Sequence, residues 1–463
     1  MRVLPRIRSA SAMVAALLLV TAAESADDPD PAVSPGAARV HAEAILIDGH
    51  NDLPWRLRGD GDVGFDRLDI GRRLDSGHTD IPRLREGGVD AQFWSVYIPS
   101  EQPNPSQTVL QQIDIVYRMI ERYPDAFELA RTADDVERIV ASGRIASLLG
   151  IEGGVAIEED LSLLRNFARL GVRYMTLTHN SSLSWADAAT DEPISGGLSE
   201  FGERVVREMN RLGMLVDISH VSEATMDDCL RVSAAPIIAS HSSAYAIAPH
   251  PRNVPDTILR RIPENGGVIM VNFYPGFLVP NASERLAEAR SRFRNAFPDD
   301  DDAYRNAFRE WLDEHEDELR GDVGLVADHI DHIVKVAGID HVGIGGDYDG
   351  INRVPIGLED VSTYPKLTEE LLRRGYSAED VGKILGGNAL RALRDAEIVA
   401  DRLRKETSPD VQQPEHRRQT DRSRRSATIC SLWLVESGPS PGLAATLSPR
   451  GGRGLGAVRS GGQ

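Results

Sequence analysis

Asp48-Gly49-His50-Asn51-Asp52 places a histidine and an aspartate two residues apart, just after a short apolar run. Alternate side chains of an extended segment share a face, so this spacing lets one metal ion take both His50 and Asp52. Farther along, Glu152 is a lone carboxylate among glycines and apolar residues in Gly150-Ile151-Glu152-Gly153-Gly154. A charge in such surroundings needs a partner, which either a rim salt bridge or a pair of cations would supply. His220 in Asp217-Ile218-Ser219-His220 and His241 in Ala239-Ser240-His241 end two consecutive apolar runs. Two imidazoles so placed suit a borderline-soft divalent ion such as zinc. Each motif alone is weak, because His-x-Asp pairs and single histidines are common structural residues. Together they expect two Zn2+ per chain, bridged by Glu152 and a water or hydroxide. Such a water is acidified near neutral pH and the same cations polarise a carbonyl, so hydrolysis of an amide or related acyl bond follows.

Three further residues fit that chemistry. Asp347, in Gly345-Gly346-Asp347-Tyr348-Asp349-Gly350, is placed to accept a proton from the attacking water and pass it to the leaving amine; Asp349, just before a glycine, reads as a turn residue. Asp347 and Glu152 are thus the expected catalytic residues. His179 in Leu177-Thr178-His179-Asn180 and Arg252 in His250-Pro251-Arg252-Asn253 could hold an oxyanion and a substrate carboxylate, since the guanidinium matches a planar carboxylate with two donors.

These groups lie far apart in sequence, so the elements between them must bring them together. Eight short apolar runs recur, at 44–47, 91–97, 145–149, 174–177, 215–218, 236–239, 267–272 and 342–344. Helical periodicity separates them, as over 107–122, 159–170, 200–212, 223–231 and 323–336. Alternating strands and helices of this number close into a TIM-like (β/α)8 barrel, in which the C-terminal strand ends converge on one mouth. Each candidate residue named above except Arg252 lies just past such a run. About seventy residues separate Asn272 from Val342, with an acidic run at 299–302 and a charged helical pattern over 303–319, so a helical insertion is expected before the last strand. The acidic run lacks the spacing of a calcium loop and reads as a solvated turn.

With 41% hydrophobic and 27% charged residues, the 463-residue chain has neither the bias of a disordered protein nor that of a disulfide scaffold. Arg2, Arg6 and Arg8 before the apolar run from Met13 to Val20 and the small residues Thr21-Ala22-Ala23 read as a signal peptide over 1–23, so export to the periplasm or medium is expected. One barrel domain is expected over 40–404. Beyond it, 405–463 turns to Arg, Ser, Gly and Pro and reads as a disordered basic tail. The formal net charge is −19; setting aside the three leader arginines and a tail with nine basic against five acidic residues leaves about −26 on the body. Such a surface repels nucleic acid and anionic lipid. Cys229 and Cys430 are the two cysteines, in contexts too different for a structural bridge.

The ligand strings, the block from Asp80-Ile81-Pro82-Arg83-Leu84 through Gln92-Phe93-Trp94-Ser95, Leu177-Thr178-His179-Asn180 and Gly386-Gly387-Asn388 stand in an order that resembles the membrane (renal) dipeptidases, peptidase family M19, of the amidohydrolase-like metal-dependent hydrolases. The likeness runs from about Ala44 to Leu393. It implies that His50 and Asp52 bind one zinc, that His220 and His241 bind the other, and that Glu152 bridges them. Asp347 matches the family's catalytic aspartate, and His179 and Arg252 match residues that contact substrate. The resemblance further implies cleavage of dipeptides, tolerance of a D-residue at the C-terminal position, β-lactam opening in some members, and homodimers. The mammalian members' lipid anchor and disulfides have no counterpart here, which implies a bacterial exported form without a stable membrane anchor. Two other readings stay open: a dizinc hydrolase of N-acyl amino acids, β-lactams or lactones, and a metal-binding protein without turnover.

Overall fold

Parallel strands buried on both faces are written as nearly continuous apolar runs, and the computed structural model, which describes residues 33–61 and 63–410, forms its sheet from such runs. The strands are β1 Leu46–Asn51, β2 Val89–Tyr97, β3 Phe127–Leu129, β4 Ile145–Glu152, β5 Val172–Thr176, β6 Leu215–Asp217, β7 Ile237–Ala239, β8 Val268–Val271 and β9 Val342–Ile344. β1 pairs with both β2 and β9, and β2 pairs with β4, so eight parallel strands close into a barrel. The short β3 lies along the first residues of β4, on the side where β5 takes over at Leu149. Its three residues, Phe127-Glu128-Leu129, are too few to show a period, so the sequence does not announce it. The expected signal peptide and the tail past Asp410 lie outside the described residues.

Alternation divides the strand side chains into two sets. Ile47, Phe93, Leu148, Tyr174, Ile238 and Met270 share a core with Ala389, Ala392, Leu393 and Ala396 of the closing helix Asn388–Glu406. Trp94, Leu149, Met175, Val216 and Ile269 pack outward against the helical ring. Gly386, just before the closing helix, rests on the Ile45 backbone, so this helix covers the barrel's N-terminal end and leaves the opposite end open. Serine caps start the helices Glu200–Leu212 and Glu223–Val232, and Gly213 in a left-handed conformation (φ 74°) ends the first.

Two strands run further than their apolar residues indicate. β1 includes His50, and β4 ends on Glu152 itself, because the ladder to β2 continues to the pair Tyr97–Glu152. Hydrogen bonding sets the strand end, whatever the polarity of the side chains.

The insertion after β8 comprises helices Pro275–Leu278, Ala282–Ala296, Asp301–Glu314 and Glu316–Arg320. Asp300 of the acidic run accepts the Ala303 amide and caps the third of these. Ala282, Leu286 and Leu319 form its small core, with Phe308 and Trp311 packed on them. Ser283 Oγ donates to the Gly276 carbonyl (2.7 Å) within the insertion, and Arg320 Nε donates to that of Val354 (2.7 Å), which fastens the insertion to the loop after β9. No helix among the described residues is long and apolar enough to cross a membrane.

Where strands meet most closely there is no room for a side chain: a Cβ on Gly345 would stand 1.8 Å from the Ser240 carbonyl oxygen. Gly345→Ala should therefore destabilise the fold by about 1–3 kcal/mol in urea unfolding. Gly382, helical and with nothing within 4 Å of its added Cβ, should be neutral or gain up to about 1 kcal/mol as alanine. Equal effects at the two positions would contradict the packing described.

Candidate metal centre

The open end of the barrel collects the residues that the strand ends carry. Between Asp48, which pairs with Gln92, and Asn51, which pairs with Trp94, β1 has one more residue than β2. This bulge re-aims His50. Asp52 has left the strand and stands at the N-cap of helix Leu53–Gly59. The His-x-Asp pair therefore does not converge by plain alternation, as its spacing predicts; a bulge and a helix start bring His50 Nε2 and Asp52 Oδ2 to 3.2 Å.

Glu152, the last residue of β4, lies at the centre. Its Oε2 faces His50 Nε2 at 3.4 Å, while its Oε1 faces His220 Nε2 at 3.0 Å and His241 Nε2 at 3.5 Å. The latter two nitrogens are 3.0 Å apart. One carboxylate thus addresses two sets of ligands, His50 with Asp52 and His220 with His241. His179 Nε2 stands 3.8 Å from Oε1, its ring against those of His220 and Tyr97. His220 reaches this place with a left-handed backbone (φ 66°), rare for a non-glycine residue and a common mark of functional sites.

Polar groups behind the histidines fix which nitrogen points inward. The Tyr174 hydroxyl donates to the Gly49 carbonyl (3.2 Å) and so accepts from His50 Nδ1–H (2.8 Å), leaving the Nε2 lone pair toward the carboxylates. Ser240 Oγ donates to Asp217 Oδ2 (2.6 Å) and accepts from His241 Nδ1–H (2.7 Å). Asp217 also takes the amides of Ser219 and Ser240, holding the turns that carry both His220 and His241. Such outer partners tune ligand basicity and orientation. In the sequence Tyr174, Asp217, Ser240 and Asn272 do not stand out as site residues. An aspartate ending an otherwise apolar strand was the one visible signal among them.

The electrostatics suit a cation. Burial holds His220 and His241 well below the ordinary imidazole range, which keeps them neutral as ligands must be. Burial opposes charge on Glu152, but His50, His220 and His241 overcome this and hold its carboxyl well below the usual range. Burial opposes charge on His50 too, yet Tyr174, Glu152 and Asp52 raise it well above its ordinary value. The two carboxylates call for positive charge at that point. His50 Nε2, Asp52 Oδ1 and His220 Nδ1 are buried without hydrogen-bond partners. Ligand atoms of His50, Glu152 and His241, of Glu152, His179 and His220, and of His50, Asp52 and Asp347 each lie within 4.8 Å of one another. The residues fit divalent metal.

Asp347, also left-handed (φ 60°), follows β9, and its Oδ2 accepts from Asn272 Nδ2 at 2.8 Å. Burial pushes its carboxyl up to about 7. Asp349 instead takes the His78 amide (2.8 Å) and serves the loop, as its turn context indicates. Arg252 is fully buried, its guanidinium 5.0 Å over the Phe277 ring, donating to Ser242 Oγ (3.2 Å) and the His241 carbonyl (3.3 Å). Its Nε has no partner, and burial brings the group down to about 10. The structure therefore gathers all eight candidate residues at one mouth.

Residues 36–407 match the family described as membrane dipeptidase, peptidase family M19. Among solved structures, the probable dipeptidase PvdM from Pseudomonas aeruginosa is similar at 27% identity and TM-score 0.67, covering 79% of this chain and 98% of its own. The metallopeptidase dipeptidase AC, of family M19, gives 28% and 0.61 over 76% of this chain and 98% of its own. A metallopeptidase from Rhodobacter sphaeroides, bound to a phosphinate mimic of the dipeptide L-Ala-D-Ala, gives 26% and 0.60 over 76% and 99%. With the family matched over most of its length and the barrel shared, the chain belongs to the membrane dipeptidases, the metal-dependent hydrolases of peptidase family M19.

Proposed function

We propose that this chain is a dizinc dipeptidase that accepts a D-residue at the C-terminal position. The observation that carries this is the division of Glu152, one oxygen toward His50 and the other toward His220 and His241. His50 and Asp52 would hold one zinc, His220 and His241 the other, with Glu152 shared. Bound there, the pair would acidify a water and polarise the scissile carbonyl.

The chain's own residues do the rest. Asn272 occupies Asp347 Oδ2, so Oδ1 faces the site, next to Asp52; a Cβ on Gly350 would touch both carboxylates, at 2.7 and 2.1 Å. Asp347 takes the proton released in attack and returns it to the leaving nitrogen. Its value near 7 belongs to a buried carboxyl beside Asp52 and Glu152, and divalent cations held by the neighbouring ligands would favour the ionised form that accepts a proton. Arg252 presents unused donor capacity to the α-carboxylate of the C-terminal residue, which favours dipeptides over substrates with no free carboxylate there. His179, lowered to about 4 by burial, is neutral and donates to the developing oxyanion. The ligand of the Rhodobacter sphaeroides relative, a mimic of L-Ala-D-Ala, supports the stereochemical part of the reading.

Hydrolysis of a dipeptide panel with L or D configuration at the C-terminal residue tests this. Cleavage should disappear on chelation and return with zinc. Zinc-dependent cleavage of N-acyl amino acids or lactones, with dipeptides untouched, would overturn it. Asp347→Asn should keep its zinc and lose roughly 10²–10⁴-fold in kcat. Loss of zinc in that variant would place Asp347 among the ligands and contradict the assignment.

A further inference from the structure

The three imidazoles that face Glu152 are aimed in two different ways. His50 and His241 are each held from behind by a hydroxyl, of Tyr174 and of Ser240. His220 is not: its Nδ1 is buried without a hydrogen-bond partner, so no polar group among the described residues fixes its ring from that side. Its backbone is left-handed instead, a conformation that a residue with a β-carbon keeps only where its surroundings impose it. Asp217 takes the Ser219 amide on the N-terminal side of His220. On the other side the constraint comes from the loop that joins β5 to helix Glu200–Leu212.

That loop lays Asp187-Ala188-Ala189 antiparallel to His220-Val221-Ser222. Ala189 N donates to the His220 carbonyl (2.8 Å), Ser222 N donates to the Asp187 carbonyl (2.9 Å), and Ala188 pairs with Val221. Thr178 Oγ1 adds a second donor to the His220 carbonyl at 3.1 Å. Within the loop, the buried Asp187 carboxylate accepts the amides of Ile194 (2.6 Å), Ser195 (2.9 Å) and Gly197 (2.7 Å), which folds residues 187–197 back on themselves and fixes the strip that meets His220. Resting on the dizinc reading, we infer that Asp187 and Thr178 are positioning residues. Through the loop after β5 they latch His220 in its left-handed turn, and so set how tightly the zinc of the His220–His241 pair is kept. The ion of His50 and Asp52 is aimed by the β1 bulge and Tyr174, which the latch does not include.

The test is zinc retention in the folded full chain, read by competition with a chromogenic chelator after loading with zinc alone. Asp187→Ala should weaken one of the two zinc ions about 10–100-fold and leave the other unchanged, the usual effect of losing an outer partner of a ligand. Thr178→Val, which removes only the hydroxyl bond, should weaken the same ion about tenfold. Thr178→Ser, which keeps the hydroxyl, should retain it as the wild type does; this pair decides the matter if Asp187→Ala does not fold. In a His220→Ala background Thr178→Val should leave the remaining ion unmoved, because it acts through the residue removed. Wild-type retention of both ions in Thr178→Val, equal weakening of both, a serine variant as weak as the valine one, or an effect that persists without His220 would overturn the latch. A wild-type chain that binds one zinc would remove the dizinc reading instead; the latch then stands if Thr178→Val weakens that ion and falls if it does not. A wild type that binds none would overturn both.

Discussion

Glu152 is buried among three imidazoles and beside a second carboxylate, and the rest of the mouth depends on how that charge is met. In such surroundings an ionised carboxylate is costly without compensation. Two of the three histidines that surround it are kept neutral by burial, while His50 is drawn toward protonation by Glu152 and Asp52. A proton on His50 can balance part of the negative charge, and divalent cations balance all of it while using the same lone pairs. Metal binding is in this sense a demand of the electrostatics as much as a consequence of ligand type. It also couples loading to protonation, because a proton on His50 competes with the ion.

The barrel meets this demand at some local cost. Parallel strands bring β1, β4, β6, β7 and β9 to one end, but ideal geometry would not aim their side chains at a common point. A bulge turns His50, and left-handed backbone places His220 and Asp347. Tyr174, and Asp217 through Ser240, then lock the ring orientations from behind. These departures from regular structure concentrate at the mouth, whereas the opposite end is closed by an ordinary helix packed on apolar strand residues. Strain at the site is tolerated because the remainder of the barrel is regular.

Most of the eight candidate residues were legible in the sequence because of a contrast: a charged or ligating side chain directly after a buried apolar run needs a reason. Glu152 among glycines and the paired contexts of His220 and His241 are of that kind. The barrel was legible for the same cause, since runs without alternation are what strands covered on both faces require. What could not be read depends on three-dimensional neighbours. Tyr174 looks like any strand tyrosine until His50 is found on its hydroxyl, and Asn272 looks like a strand end until Asp347 is found beside it. The bulge in β1 has no composition of its own. The insertion is visible as charged helical sequence, but its tie to the loop after β9, through Arg320 and the Val354 carbonyl, depends on neighbours in space.

The claim that Glu152 is shared by two metal ions is tested most directly by counting zinc, by mass spectrometry, in the wild-type chain and in Glu152→Ala after identical loading and desalting. A shared ligand predicts about two zinc ions per wild-type chain and a loss that reaches both sites in the variant, with less than about one retained. A folded Glu152→Ala protein that still carries the wild-type complement would show Glu152 to be a rim charge with no part in holding metal.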